Sequence, residues 1–254
     1  MQRIDLLLVE QGFAASRTAA QKLIEAGRVS VAEGGRTQLV SKPSLKLGAD
    51  AQLLVTPDAA DRYVSRGALK MEGALARSGL DVSGWRALDV GISTGGFTDC
   101  LLQSGAAHVV GVDVGHDQLH PRLATDPRVK AFEGVNARAL DHATLLAAND
   151  GERFDLMVCD VSFISLTLVL PSALPLVKPG GYLLSLVKPQ FEVGREGIGK
   201  GGIVKNPALY EQVRNKIEDA VRLQGFELID WFDSPITGGD GNREFFVFAR
   251  RHSL

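Results

Sequence analysis

The chain has 254 residues, 45% of them hydrophobic and 23% charged, with a formal net charge of −2. That is the composition of a soluble globular protein with room for one large domain, or for a small one and a medium one. Near-neutral charge excludes wholesale attraction to nucleic acid or membrane, so either partner would have to be met by a local patch.

The first 57 residues read as a small α+β block. "MQRIDLLLVEQG" has an apolar run of only Leu6 to Val9, closed off by Asp5 and Glu10. That is too short for a signal peptide, and a cytoplasmic protein is expected. In "SRTAAQKLIEAG", Ser16 is a natural N-cap, Ala19, Ala20, Leu23 and Ile24 share one helical face, and Gly27 supplies the stop. "RVSV" then reads as a strand, "EGG" as a turn, and "LVSKPSLKLGADAQLLV" as further short β structure. Residues 58–64 lose periodicity after Pro57 and suit a linker.

Residues 65–254 alternate. Strand-like runs are "RALDV", "HVVGVD", "RVKAFE", "FDLMVCD", "YLLSLV", "FELIDWF" and "EFFVFAR", and helix-like runs separate the first six. Such alternation predicts a parallel sheet with helices on both faces. No helical pattern lies between the last two runs, so the last strand should be antiparallel. Seven strands ending this way are the layout of a Rossmann-like class I methyltransferase sheet. No apolar run approaches the roughly 20 residues of a membrane span. Cys100 and Cys159 lie far apart in apolar stretches and in no metal-like spacing. They are expected to be buried free thiols in a reduced compartment, and no metal site is expected.

"LDVGISTGGFTDCLL" follows the first of the seven strands and opens a helix. Gly91, Gly95 and Gly96 allow a tight turn and close approach to a ligand, and the free amides of the helix start would face a carboxylate. Asp113, roughly 20 residues on, can accept hydrogen bonds from ribose hydroxyls. A dinucleotide fingerprint would space its glycines as G-x-G-x-x-G, whereas the spacing here is G-x-x-x-G-G, with Asp89 inside the strand end, and no lysine follows to make a P-loop. The pattern favours S-adenosyl-L-methionine as cofactor. Its expected contacts are Asp89, Gly91, Ser93, Thr94, Gly95, Gly96 and Phe97 in the loop, then Asp113, Asn136 and Asp160. Asn136 could touch an adenine edge or merely cap a helix.

Open α/β sheets bind ligands at the carboxyl ends of their strands. "FDLMVCDVSFIS" ends a strand in Asp160 and "YLLSLVKPQF" ends the next in Lys188, with Pro189 stopping the ladder. Adjacent strands are about 5 Å apart, so the two side chains could meet. The fourth strand lacks the Asn/Asp-Pro-Pro-aromatic run of an amino methyltransferase. Cys159 sits inside its strand, where it should face the packing and not act as a nucleophile. A hydroxyl acceptor fits best, because a lysine can bind a ribose 2′-OH and help remove its proton.

Two resemblances give this pattern a family. "RIDLLLVEQGFAASRTAAQKLIEAGRVSV" resembles an S4 domain, a small RNA-binding module, which implies RNA phosphate contacts from Arg3, Arg17, Lys22 and Arg28. Residues 1–60 carry seven Lys or Arg against six Asp or Glu, so only one face could be basic. "YVSRGALK", "CDVSF", "LVKPQF" and "GNREFFVFAR" look like the four segments of the FtsJ-like RNA 2′-O-methyltransferases. On that resemblance a Lys-Asp-Lys-Glu tetrad falls on Lys70, Asp160, Lys188 and Glu244. With "STGGFTDCLLQSGA" and "VKPQFEVGREGIGKGGIVKNP", the whole chain is similar to the TlyA, or hemolysin-A-like, family. The implied activity is 2′-O-methylation of ribosomal RNA, free or in a ribosomal subunit, with cytidine as the expected nucleoside. Arg66, and Arg195 and Lys200 in the glycine-rich loop, are further expected RNA contacts. Ile92 departs from the family's usual Ala, and would either crowd the methionine end of the cofactor or pack into the sheet. A membrane-active cytolysin, which the hemolysin label would suggest, finds no support in a membrane span or a basic amphipathic helix.

Overall fold

The computed structural model describes residues Met1–Ser253. The chain forms two compact units, divided between Ala59 and Ala60. The first contains β1 (Gln2–Arg3), α1 (Ile4–Glu10), α2 (Arg17–Glu25), β2 (Val29–Glu33), β3 (Arg36–Leu39), β4 (Lys46–Leu47) and β5 (Gln52–Val55). β2 is the centre of an antiparallel sheet between β3 and β5, and β1 pairs separately with β4. α2 starts where the sequence places it, with Ser16 Oγ accepting the Ala19 amide at 3.2 Å. Ile4, Leu7, Leu8, Ala20, Ile24, Val29, Val40 and Leu53 form the core of this unit.

A 3₁₀ turn at Ala59–Arg62 runs across the division, and α3 (Ala68–Ser78) is the first helix of the second unit. There follow β6 (Arg86–Val90), α4 (Gly96–Gln103), β7 (His108–Val112), α5 (Pro121–Ala124), β8 (Val129–Phe132), α6 (His142–Ala148), β9 (Phe154–Cys159) and α7 (Leu166–Ala173). β10 (Val177–Val187), α8 (Pro207–Leu223), β11 (Phe226–Asp233) and β12 (Phe245–Arg251) complete it. The seven strands lie in the order β11-β12-β10-β9-β6-β7-β8, parallel except that β12 runs antiparallel to both neighbours. This is the expected α/β architecture. Alternation along its central strands feeds two cores. Leu88, Val90, Met157, Cys159 and Leu183 face one, while Ala87, Leu156, Val158, Leu184 and Leu186 face the other. A sheet covered on both faces must be apolar on both.

Four details of the fold go beyond the sequence pattern. α5 is a single turn, because Asp126 precedes Pro127, which disfavours helical backbone there. α6 begins only after Asp141, which takes the N-cap by accepting the Ala143 and Thr144 amides. β10 starts at Val177 and passes through a register shift, so Lys178 lies inside the strand and pairs with Asp155. β12 is an inner strand with β11 outside it, so Glu244 opens a central strand and not an edge.

Candidate active site

Asp113 and Asp160 each stand one residue past a strand, and backbone bonds hold them there: the Asp113 amide donates to Phe132 O and the Asp160 amide to Val90 O. Lys188 follows Val187, the last residue of β10, and Pro189 turns the chain into a 3₁₀ turn. Lys188 is therefore the first residue beyond the ladder, not its last paired member. These strand ends enclose a cavity of about 620 Å³ lined by Gly91, Ser93, Asp113, Asn136, Asp160 and Lys188, together with Val114, Gln118, Val135, Ser162, Phe163 and others.

The four polar residues form two pairs. Lys188 Nζ lies 2.5 Å from Asp160 Oδ1 and donates to Ser162 Oγ at 3.0 Å. Asp160 Oδ1 is buried, and this ion pair is the contact the structure gives it. Lys70 Nζ donates to Glu244 Oε2 at 2.6 Å, deep in the fold, and neither residue lines the cavity. Burial pushes the Glu244 carboxyl above the usual range, against the pull of Lys70. Lys188 and Asp160 are close enough to act on it as well. Glu244 reaches this end because Phe245, the first residue of the antiparallel β12, faces Val187, the last of β10.

The cofactor-loop residues divide. Asp113 accepts the Ser93 amide through Oδ2 and the Gly115 amide through Oδ1, both at 2.8 Å, which leaves each oxygen a further lone pair. Ser93 holds a left-handed φ of 49°, and Gly91 has φ 85°, where a Cβ would collide with Asp160 O. Asn136 lines the cavity and is no helix cap, since its Oδ1 accepts the Arg138 amide well before α6. Thr94, Gly95, Gly96 and Phe97 do not line the cavity. Gly95 and Gly96 are buried, and the room they leave is filled by Leu123 and Leu119 and by Ser65 and Ala68. Phe97 is a core residue beside Phe246. Asp89 is fully buried, accepts only Thr98 Oγ1 at 2.6 Å, and leaves Oδ1 without a partner. Burial first, then the charges of Asp160 and Asp113, push it up to about 7. Ile92 is buried against Gly111, so it packs into the sheet.

Of the expected RNA contacts, Arg3 and Arg17 are engaged by Asp5. Arg3 donates to it through Nε and a terminal nitrogen, and Arg17 through Nε. Arg28 donates to Thr56 O. Lys22, Arg66, Arg195 and Lys200 are exposed. The glycine-rich loop folds into 3₁₀ turns at Arg195–Gly197 and Lys200–Gly202. Asn242 anchors it: its Oδ1 accepts the Val204 amide and its Nδ2 donates to Gly202 O and Asp240 Oδ2. Sequence reasoning assigned no role to Asn242, Ser162 or Glu192, although all three lie in motifs it quoted. Both cysteines are buried and free, and burial pushes the Cys159 thiol well up. Among the described residues no helix is long and apolar enough to cross a membrane, and no group of three His, Cys, Asp or Glu is placed to hold a metal ion.

Comparison with known proteins agrees with this geometry. The FtsJ-like methyltransferase family model matches residues 63–251 and the S4 domain model residues 2–33. The chain is 42% identical over 250 residues to the 16S/23S rRNA (cytidine-2′-O)-methyltransferase TlyA of Mycobacterium tuberculosis, covering 98% of this chain and 89% of that one. It is 37% identical to Hemolysin A of Brachyspira hyodysenteriae, covering 96% and 98%. A solved chain from Streptococcus thermophilus that carries a hemolysin label superposes with a TM-score of 0.75 at 39% identity, covering 99% of this chain and 88% of that one.

Proposed function

The chain belongs to the FtsJ-like methyltransferase family, and from that premise we propose that it is a ribosomal RNA ribose 2′-O-methyltransferase, acting on cytidine, that uses S-adenosyl-L-methionine. The observation that carries the reading is the Lys188–Asp160 pair at the rim of the cavity, with the buried Lys70–Glu244 pair beside it.

The cavity suits the cofactor. Its size is in the usual range for a small-molecule site. Asp113 retains acceptor capacity where ribose hydroxyls would lie, and Gly91 keeps the wall next to Asp160 bare of a side chain. When bound, the cofactor supplies an electrophilic methyl group on a sulfonium. Asp113 would hold its ribose and the Gly91–Ser93 turn its amino-acid end. Asp160 stands where a positive centre would be stabilised.

Lys188 meets the RNA 2′-hydroxyl. It would orient the oxygen lone pair toward the methyl group and, as the neutral amine, accept the hydroxyl proton while the O–C bond forms and the methyl–sulfur bond breaks to leave a thioether. Asp160 and Ser162 fix the amine in place. Lys70 and Glu244 position the ribose from behind. Lys22, Arg28, Arg66, Arg195 and Lys200, with the outer faces of Arg3 and Arg17, contact phosphates and give salt-sensitive affinity without sequence readout.

Labelled methyl transfer to ribosomal RNA followed by alkaline hydrolysis tests the reading. Alkali cleaves through a free 2′-OH, so the expected product is one resistant linkage at the labelled site. Label recovered wholly in mononucleotides would mean base methylation and would refute it. Lys188→Ala should lower transfer by at least about 100-fold with cofactor binding retained.

A further inference from the structure

Glu192 lies outside the tetrad, yet its side chain is only 2% exposed and both of its carboxylate oxygens are engaged. Oε1 accepts the Leu166 amide at 2.6 Å, and Oε2 accepts Ser165 Oγ at 2.6 Å and Lys216 Nζ at 3.0 Å. Its carbonyl oxygen takes Lys216 Nζ as well, at 3.1 Å. Ser165 and Leu166 begin α7, at the end of the loop that leaves Asp160. Glu192 closes the 3₁₀ turn that leaves Lys188, and Lys216 comes from α8. The same two loops touch again through Phe163 and Phe191, whose ring centroids are 5.0 Å apart.

The sheet alone does not set the spacing of Asp160 and Lys188. The β9–β10 ladder ends at Cys159 and Ser185, so both functional residues stand beyond the last paired position between their strands. Asp160 is held from β6 by Val90 O and β10 from β12 up to Val187, so a tie past the β9–β10 ladder adds a direct link between the two loops themselves. A carboxylate at a helix start, bound by an amide, a hydroxyl and an ammonium, is a strong tie: charged hydrogen bonds are short, and the helix dipole favours an anion there.

We propose that Glu192 is a positioning residue that sets the distance between Asp160 and Lys188, by fastening the loop after one to the loop after the other and both to α8. The proposal rests on the reading that this pair handles the ribose hydroxyl. A displacement of about 1 Å in such a pair can slow a reaction 100-fold.

The test uses the full chain, ribosomal RNA and labelled S-adenosylmethionine in single turnover at saturating concentrations, with melting curves on the same samples. Glu192→Ala should slow transfer about 10- to 100-fold at a temperature where it remains folded, with RNA affinity within about twofold of the parent, a loss in kcat and not in KM. Glu192→Gln keeps an acceptor for the Leu166 amide and should recover part of the rate. A purely stabilising role would lower the melting temperature and leave the rate per folded molecule alone, and that result overturns the proposal. If Glu192→Ala does not fold, Ser165→Ala decides: a severalfold slower rate supports the tie, and an unchanged rate overturns it. Lys188→Ala separates the two readings. If it transfers normally, the reading of the site fails and the proposal with it. If it is inactive while Glu192→Ala is not slowed, the proposal alone fails.

Discussion

Two aspartates, Asp5 in the first unit and Asp89 in the sheet, are fully buried, and they are treated in opposite ways. Asp5 accepts from Arg3, Arg17 and Gln21, and the Arg3 hydrogen bond above all holds its carboxyl well below the usual range despite burial. Asp89 receives one hydroxyl, keeps an oxygen with no partner, and is pushed up to about 7. A charge buried for stability is given donors. A charge left short of donors, with Asp113 and Asp160 acting on it, carries a penalty the fold does not relieve, the kind of feature the proposed cofactor site would account for.

That contrast can be broken or sharpened by experiment. The largest loss of stability should come from Asp5→Ala. It removes several charge-assisted bonds and should destabilise residues 1–59 by about 3 kcal/mol, read as local hydrogen exchange. Asp5 has a lowered folded pKa, so its contribution is present above its unfolded pKa near 4 and fades as pH falls further. A loss unaltered by acid would contradict the ionic account.

Asp89→Asn should act with the opposite sign. With a folded pKa raised to about 7, native Asp89 is harmless below pH ~4 and increasingly unfavourable as pH climbs toward 7. Asparagine removes the ionisation, so melting temperature should change little at pH 4 and rise at pH 8, where the penalty removed is at most about 4 kcal/mol. The smallest effect belongs to Thr98→Val, which deletes Asp89's one donor and should cost about 1 kcal/mol. A larger loss at pH 8 than at pH 5 would confirm that Thr98 serves the ionised form.

The strands, their parallel order and the antiparallel last strand were legible in the sequence, because period-two apolar runs and the missing final helix are local signals. The strand-end acids and Lys188 were legible for the same reason: polar residues at the end of apolar runs stand out. Roles that depend on who fills the space around a residue were not. Gly95 and Gly96 announce close approach, but the sequence does not say that the approaching atoms belong to Leu123 and Ser65. Arg3 and Arg17 look like free cations until the fold brings Asp5 beneath them. Ile92 left crowding of a ligand and packing into the sheet both open, and only the fold decides, by setting it against Gly111 on a neighbouring strand. Asn242 and Glu192 join segments tens of residues apart, and no local pattern announces such ties.

The placement of β12 also has a consequence for the order in which the molecule can be made. It lies between β10 and β11 and, among the described residues, is the only strand that pairs with β11. The cavity at the strand ends is lined by residues that leave the ribosome before Pro189, so its walls can form while synthesis continues. Glu244 and β12 follow β11 in the chain, and until they emerge β11 lacks its β12 partner and Lys70 lacks the Glu244 carboxylate. The walls of the cavity can thus form before the residues that complete the Lys70–Glu244 pair have been made.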